Sequence, residues 1–340
     1  MGDRGFAAPG LFQGGFCMKA ALCRAYGSPE TVSLADIPAP SPGPGEILVA
    51  VQAAGLTVGD ARIRGARAPG GMGPMVRLVF GVTRPRRPVL GREFAGRVIG
   101  CGAGVTRFKV GDAVFGVTDG MKMGAHAAQL VVKAEGLVAL RPQSLDPVEA
   151  AGFFFGGLTA ADFLIDQCAL KAGERVLIVG ATGAVGSAAV QIARHLGARV
   201  TALASSDNLD LARDLGAETA LDYREKRAQG PFDVILDCPG VLPDPLNLLA
   251  PGGRLGLVTA TLGQMLGAVV RPRRGDKTLR SGVIKETAQA MARLIALHKA
   301  GGYTPLIGGE FPFGQIVAAH HKADSGHKQG NLVLILPEDG

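Results

Sequence analysis

Apolar positions along the chain fall into two textures, and the change comes near Asp146. Before it, short stretches alternate or run β-branched and end in glycine. They are 46–55 (EILVAVQAAG), 93–102 (EFAGRVIGCG), 110–117 (VGDAVFGV) and 125–133 (AHAAQLVVK). Each predicts a strand. The Pro/Gly stretch 38–46 predicts a loop. From Asp146 the spacing becomes helical, with Asp146 as N-cap and Pro147 at the first helical position. Gly156-Gly157 is expected to split this segment into two helices, with Thr159 near the start of the second.

Strands and helices then alternate. RVLIVG, RVTALA, TALDY and FDVILDC read as strands. AVGSAAVQIARHLGA and NLDLARDLGA read as helices closed by Gly197 and Gly216. Alternation with short links predicts a parallel sheet with helices on both faces. A helix over 285–302, a turn, a further helix and a terminal strand complete the chain. That strand can pair back with the β-rich first half, which would make the second domain discontinuous.

The junction at 177–190 (LIVGATGAVGSAAV) carries the clearest chemistry. Gly180, Gly183 and Gly186 form a G-x-x-G-x-x-G loop between a strand and a helix. Such glycines permit a tight turn, a close approach of backbone to a diphosphate, and close packing of helix on sheet. The helix N-terminus adds free N–H donors and partial positive charge. We therefore expect dinucleotide binding, with Thr159, Gly180, Thr182, Gly183, Ala184, Val185 and Gly186 as candidate contacts. An NAD site of this kind places a carboxylate at the end of the second strand. Here that tip reads Ser205-Ser206, which leaves room for a 2′-phosphate. Arg224, next to Tyr223 at the end of the third strand, can complete the pocket. NADPH is thus expected over NADH, with Asp207 as the feature against it.

Composition narrows the class. The chain has 340 residues, enough for two domains, with 47% hydrophobic and 19% charged residues. Mean hydropathy is +0.24, and no uncharged apolar run of membrane-spanning length occurs. Five cysteines, none spaced C-x-x-C, point to reduced thiols and a cytoplasmic location. Residues 1–17 have neither signal-peptide nor transit-peptide character and are expected to be a disordered extension. The formal charge is +7. Its densest clusters, 84–88 and 271–274, carry proline and read as solvated extended loops, so nucleic-acid binding is not expected.

The segments 18–65 and 88–116, the stretch 158–198 and the terminal SGHKQGNLVLIL together resemble the medium-chain dehydrogenase/reductase superfamily, in its zinc-free quinone oxidoreductase-like (zeta-crystallin-like) branch. The resemblance covers nearly all of 18–336. It implies an α/β fold, a Rossmann doubly wound parallel sheet inserted in a chaperonin-10-like (GroES-like) β-rich catalytic domain. The boundaries would be 18–142 and 285–340 for the catalytic domain and 143–284 for the Rossmann domain. Lys328 and Asn331 would contact the cofactor from the terminal loop, Val258 and Thr259 would border the nicotinamide, and the chain would be a homodimer.

Zinc-dependent relatives carry Cys at the position of Thr57 and His at that of Arg92, so no metal is expected. Chemistry without a Lewis acid suits hydride delivery to an electron-poor carbon, as in a quinone or an α,β-unsaturated carbonyl compound. The substrate would be a small, apolar electrophile. Many relatives read G-V-N-P-x-D-x-x-x-R where this chain has GLTVGDARIR. Thr57, Asp60 and Arg64 are therefore the catalytic candidates. Thr57 has one O–H to offer a substrate carbonyl or its own backbone. Asp60 and Arg64, four apart, are expected to pair. Met72, Met75, Val76, Leu78, Val79 and Phe80 would line a lid, or pack among themselves. A metal-free alcohol or aldehyde dehydrogenase, and a non-catalytic NADPH- or RNA-binding relative, are the alternatives.

Overall fold

The computed structural model describes residues 17–119, 122–225, 228–270 and 272–337. The expected extension at 1–17 lies outside these except for Cys17, which already begins a strand. β1 (Cys17–Cys23) and β2 (Val32–Pro38) pair antiparallel. β3 (Glu46–Leu56) then runs long, alternating buried and half-buried residues until both faces are covered. α1 (Val58–Arg64) and α2 (Gly73–Phe80) follow before β4 (Glu93–Cys101), β5 (Ala113–Val117), β6 (Gln129–Lys133) and β7 (Val138–Leu140).

α3 (Pro147–Ala151) opens with a capping box. Asp146 accepts from Glu149 N at 2.8 Å, and Glu149 accepts from Asp146 N at 3.0 Å. The helical segment breaks at Gly152-Phe153, not at Gly156-Gly157. α4 (Phe154–Ala161) contains both glycines, and a π-helical turn over Asp162–Gln167 continues it. The glycines serve packing instead. A Cβ on Gly156 would sit 2.2 Å from Ala184 O, and one on Gly157 would sit 2.7 Å from the Tyr303 ring.

The alternating units follow. They are β8 (Arg175–Val179), α5 (Ala184–His195), β9 (Arg199–Ala204), α6 (Leu209–Asp214), β10 (Thr219–Asp222), β11 (Phe232–Asp237), β12 (Leu249–Leu257), α7 (Leu262–Val270), β13 (Arg273–Arg274) and β14 (Lys277–Ser281). Arg273-Arg274, expected as loop, pair antiparallel with β14 as a short edge strand. α8 (Ala288–Lys299), β15 (Ile307–Pro312), α9 (Ile316–Asp324) and β16 (Asn331–Ile335) end the described chain.

Two larger sheets result. One has the order β10-β9-β8-β11-β12-β14-β13, parallel except at β13. Its strand order reverses at β8, and in such sheets ligands bind beyond the carboxyl ends of the strands at that switch point. The other runs β15-β16-β3-β4-β5-β7, with β6 also paired to β3. The terminal strand β16 joins β3 antiparallel, Leu332 opposite Leu56. The chain end thus completes the sheet that its first half began.

One apolar core bridges the two sheets. Phe115 of β5 packs on Phe153 and Phe154, with ring centroids 5.5 and 4.7 Å away, and the same cluster continues to Val176 and Ile178 of β8. Burying rings of this size contributes about 1.5–3 kcal/mol each.

Candidate active site

The chain turns from β8 into α5 through the three glycines. Gly180 has φ +70°, a left-handed conformation that favours glycine. A Cβ on Gly186 would lie 2.0 Å from Gly180 O, so that position admits no side chain. Gly183 differs. A Cβ there would meet only Gly180 O, at 3.5 Å, so protein packing does not require glycine there. Gly183 instead faces a cleft of about 1320 Å³, whose wall includes Gly180, Thr182, Gly183, Ala184, Val185 and Gly186. The first N–H groups of α5 have no partner inside the helix and point at this space. Thr159 also lines it from α4, its hydroxyl donating to Phe155 O at 2.7 Å.

At one end the cleft reaches Ser205, Asn208, Tyr223 and Arg224. Asn208 Nδ2 donates to Ser205 Oγ at 2.9 Å, and Gln329 Nε2 donates to Asn208 Oδ1 at 2.6 Å. The Arg224 guanidinium lies 5.3 Å from the Tyr223 ring centroid, and its backbone N–H donates to the buried Asp222. Ser206 and Asp207 are exposed and contribute nothing to the wall. The Ser206 hydroxyl donates to the Asp207 carboxylate at 3.4 Å. Ser206 is thus turned away from the place expected for it, and Asp207 puts no charge on the wall.

The loop 325–330 closes over the glycine turn. Gly330 N donates to Thr182 O at 2.8 Å, and Gly330 bridges Gly183 in parallel. Lys328 lines the cleft and donates to Gly330 O at 2.7 Å. Burial lowers its pKa to about 8, opposed in part by Glu93. Asn331, expected as a cofactor contact, is buried elsewhere. Its backbone N–H and its Nδ2 both donate to Leu306 O, at 2.7 and 3.1 Å, holding β16 in place. Val258 and Thr259, just beyond β12, are on the wall.

α1 stands on the opposite side, and the residues singled out on it do not face the cleft. Thr57 is the N-cap. Its hydroxyl donates to Asp60 Oδ2 at 2.7 Å and accepts from Asp60 N at 3.3 Å. Asp60 also takes Thr57 N at 2.8 Å and Gly91 N at 3.0 Å. The expected Asp60–Arg64 pair does not form. Fully buried Arg64 instead bonds Gly27 O and Asp324, and Asp324 also accepts from Arg67 at 3.0 Å. The physical reason is that the Asp60 carboxylate is already taken by the cap and by Gly91 N, while α9 places Asp324 against Arg64.

Val58 and Arg62, which the motif reading passed over, line the cleft from α1. The signal was available. Positions 58 and 62 share one helical face, whereas 60 and 64 lie about 200° away from it. The apolar residues expected for a lid are not on the wall either, and Met75 and Leu78 are exposed on α2. Gly70 instead reaches the far side, where its Cβ position lies 2.8 Å from Thr261 Cβ.

Buried Glu93 organises the site from below. Oε1 accepts Phe154 N and Phe155 N at 2.7 Å each, anchoring the start of α4, and burial raises its pKa to about 8. The two positions where zinc ligands would stand do not suit a metal. Thr57 is tied to Asp60, and Arg92 is a cation held by Glu286 at 2.6 and 3.1 Å. Among the described residues no group of three or more His, Cys, Asp or Glu could hold a metal ion. His126 and His320 are buried with rings 6.5 Å apart, while His321 is exposed and pairs with Glu30.

Comparison with known proteins agrees with this architecture. Residues 43–142 match the alcohol dehydrogenase GroES-like domain, and residues 184–300 match the zinc-binding dehydrogenase family. The chain is 32% identical over 333 residues to the mitochondrial NAD(P)H oxidoreductase RTN4IP1 of Danio rerio, covering 87% of this chain and 85% of that one. The chain belongs to the medium-chain dehydrogenase/reductase superfamily, in its quinone oxidoreductase-like branch. Within that superfamily it is also 28% identical to the chloroplastic NADPH-dependent alkenal/one oxidoreductase of Arabidopsis thaliana, over 93% of this chain and 79% of that one. The quinone oxidoreductase structure from Coxiella burnetii superposes with a TM-score of 0.82 at 26% identity, covering 95% of this chain and all of that one. The chain is accordingly an NAD(P)H-dependent oxidoreductase with a GroES-like and a Rossmann-type part. No helix among the described residues is long and apolar enough to cross a membrane.

Proposed function

We propose that this protein is a zinc-independent, NADPH-dependent reductase of quinones or α,β-unsaturated carbonyl compounds. One observation carries the reading. A cleft of about 1320 Å³ is lined by the glycine turn and by Val58 and Arg62 of α1, and the side chains at the two metal-ligand positions are a capping threonine and an ion-paired arginine. When bound there, the cofactor supplies two electrons and a hydrogen as hydride.

The chain's own residues do the rest. The first turn of α5 and Lys328 receive the diphosphate. Ser205, Asn208 and Arg224 suit a 2′-phosphate, because Arg224 is a permanent cation and Asp207 faces away. Thr159, Val258 and Thr259 confine the reactive end and exclude water. The substrate's β-carbon, or its quinone ring, takes the hydride. The resulting enolate or phenolate takes a proton from water, because the Thr57 proton is engaged with Asp60.

Deuterium at C4 of NADPH tests this reading. An enone such as 1-octen-3-one should become the saturated ketone with deuterium on the β-carbon. Formation of the allylic alcohol instead would establish the metal-free alcohol or aldehyde dehydrogenase reading. The five free thiols are consistent with the proposed cytoplasmic location. A homodimer is proposed through the edge strand β13 and α7, where Leu266, Val269 and Val270 are 55%, 76% and 71% exposed. Sedimentation at micromolar concentration checks it.

A further inference from the structure

We infer that Arg62 is the recognition point for a carboxylate on the substrate, so that the acceptor is an acidic enone or quinone rather than a purely apolar one. This rests on the reductase reading above and narrows it. Arg62 stands on α1 one turn from Val58, and both side chains face the cleft. The guanidinium is partly buried, and burial alone lowers its pKa, with no charged group contributing. It has no hydrogen-bond or ion-pair partner among the described residues, whereas its neighbours on the same segment do. Arg64 and Arg67 share Asp324. A cation held partly out of water with nothing opposite it is costly unless a ligand supplies the anion.

The cofactor diphosphate has partners of its own in the first turn of α5 and Lys328. The glycine turn is faced by the loop 325–330, through Gly330 N on Thr182 O, and Lys328 lies on that loop. The segment following α1 reaches elsewhere. Gly70, eight residues after Arg62, abuts Thr261, two residues beyond Thr259. The chain leaving α1 therefore runs toward the end of the cleft bounded by β12. The carboxylates on the cleft wall, Glu225 and Asp244, come from the segments after β10 and β11 and not from α1, α2 or the loop 325–330. A single planar guanidinium matches a monoanionic carboxylate in a two-point contact.

The test uses methyl-ketone enones whose far end carries a carboxylate on two to six methylenes, each paired with its methyl ester. The methylenes insulate the alkene, so each pair shares one electrophile. For the best-fitting length, the wild type should favour the acid over the ester by about 10- to 100-fold in kcat/KM, carried mainly by KM. Arg62→Gln should bring that ratio to about one, and Arg62→Lys should keep part of it. An acid-to-ester ratio near one in the wild type at every length overturns the inference. So does a ratio that persists in Arg62→Gln, including the case where acid and ester fall together. A tenfold weaker NADPH affinity in Arg62→Gln with the ratio intact would place the guanidinium on the cofactor and also overturn it. If NADPH binds but no enone is turned over, the reductase reading fails. Arg62 is then judged separately, by calorimetry of the saturated keto acid against its ester on the NADP⁺ complex. Preference for the acid, lost in Arg62→Gln, supports the carboxylate site, and equal binding contradicts it.

Discussion

The two walls of the cleft are built by different means. On the Rossmann side the site is mostly backbone, with a glycine turn, the first N–H groups of α5 and a bridging Gly330. On the α1 side it is side chains, Val58 and Arg62, on a helix anchored from behind by Arg64 on Asp324. A backbone wall suits a ligand part that never varies, such as a diphosphate. A side-chain wall can change its ligand by one substitution. The difference teaches where specificity for cofactor and for substrate each reside.

The largest expected effect breaks the backbone wall alone. Gly183→Ala adds a Cβ whose one protein contact, Gly180 O at 3.5 Å, is ordinary packing, so NADPH affinity should fall by about 100-fold while Tm holds. Gly186→Ala, by contrast, drives a Cβ against Gly180 O and should lower Tm as well. Equal effects on Tm from both would dissolve the distinction. Next, Arg224→Ala should weaken NADPH by about 10- to 100-fold, the worth of a charge-assisted hydrogen bond, and leave NADH within about twofold. Fluorescence titration with both nucleotides reads the ratio.

Legibility followed the same division. The glycine turn could be read because sterics leave almost no other residue at Gly180 and Gly186. That Ser205 and Arg224 reach the cleft wall could be read because strand ends have fixed places in a parallel sheet. On α1 the motif drew attention to Asp60 and Arg64, but their partners depend on Gly91, Gly27 and Asp324, far away in the chain. The partner of Asn331 was hidden for the same reason, since Leu306 O lies 25 residues before it. Arg62 was readable from helical phase, though what it faces was not. The glycines at 156 and 157 looked like helix breakers because close helix packing and helix breaking use the same residue.

A third perturbation is smaller and depends on pH. Lys328 has a folded pKa lowered to about 8, so it is charged below that pH and neutral above it. NADPH affinity should therefore weaken as pH rises through 8, by at most about tenfold per pH unit, and Lys328→Met should flatten that slope. A wild-type affinity constant from pH 7 to 9.5 would remove Lys328 from the phosphate contacts. The smallest effect is expected at Thr57. Thr57→Val removes a cap and should cost about 1 kcal/mol of stability, and Thr57→Ser should restore it. If Thr57→Val instead lowers kcat by about 100-fold with stability intact, the hydroxyl serves the substrate and α1 is a catalytic wall.

The central claim is that the acceptor is reduced without a bound cation. The direct measurement is the rate of NADPH oxidation with 1-octen-3-one or a simple quinone before and after exhaustive treatment with a chelator, with metal content followed in parallel. An unchanged rate in metal-free protein is the predicted result. A rate that disappears on chelation and returns with added zinc would contradict it.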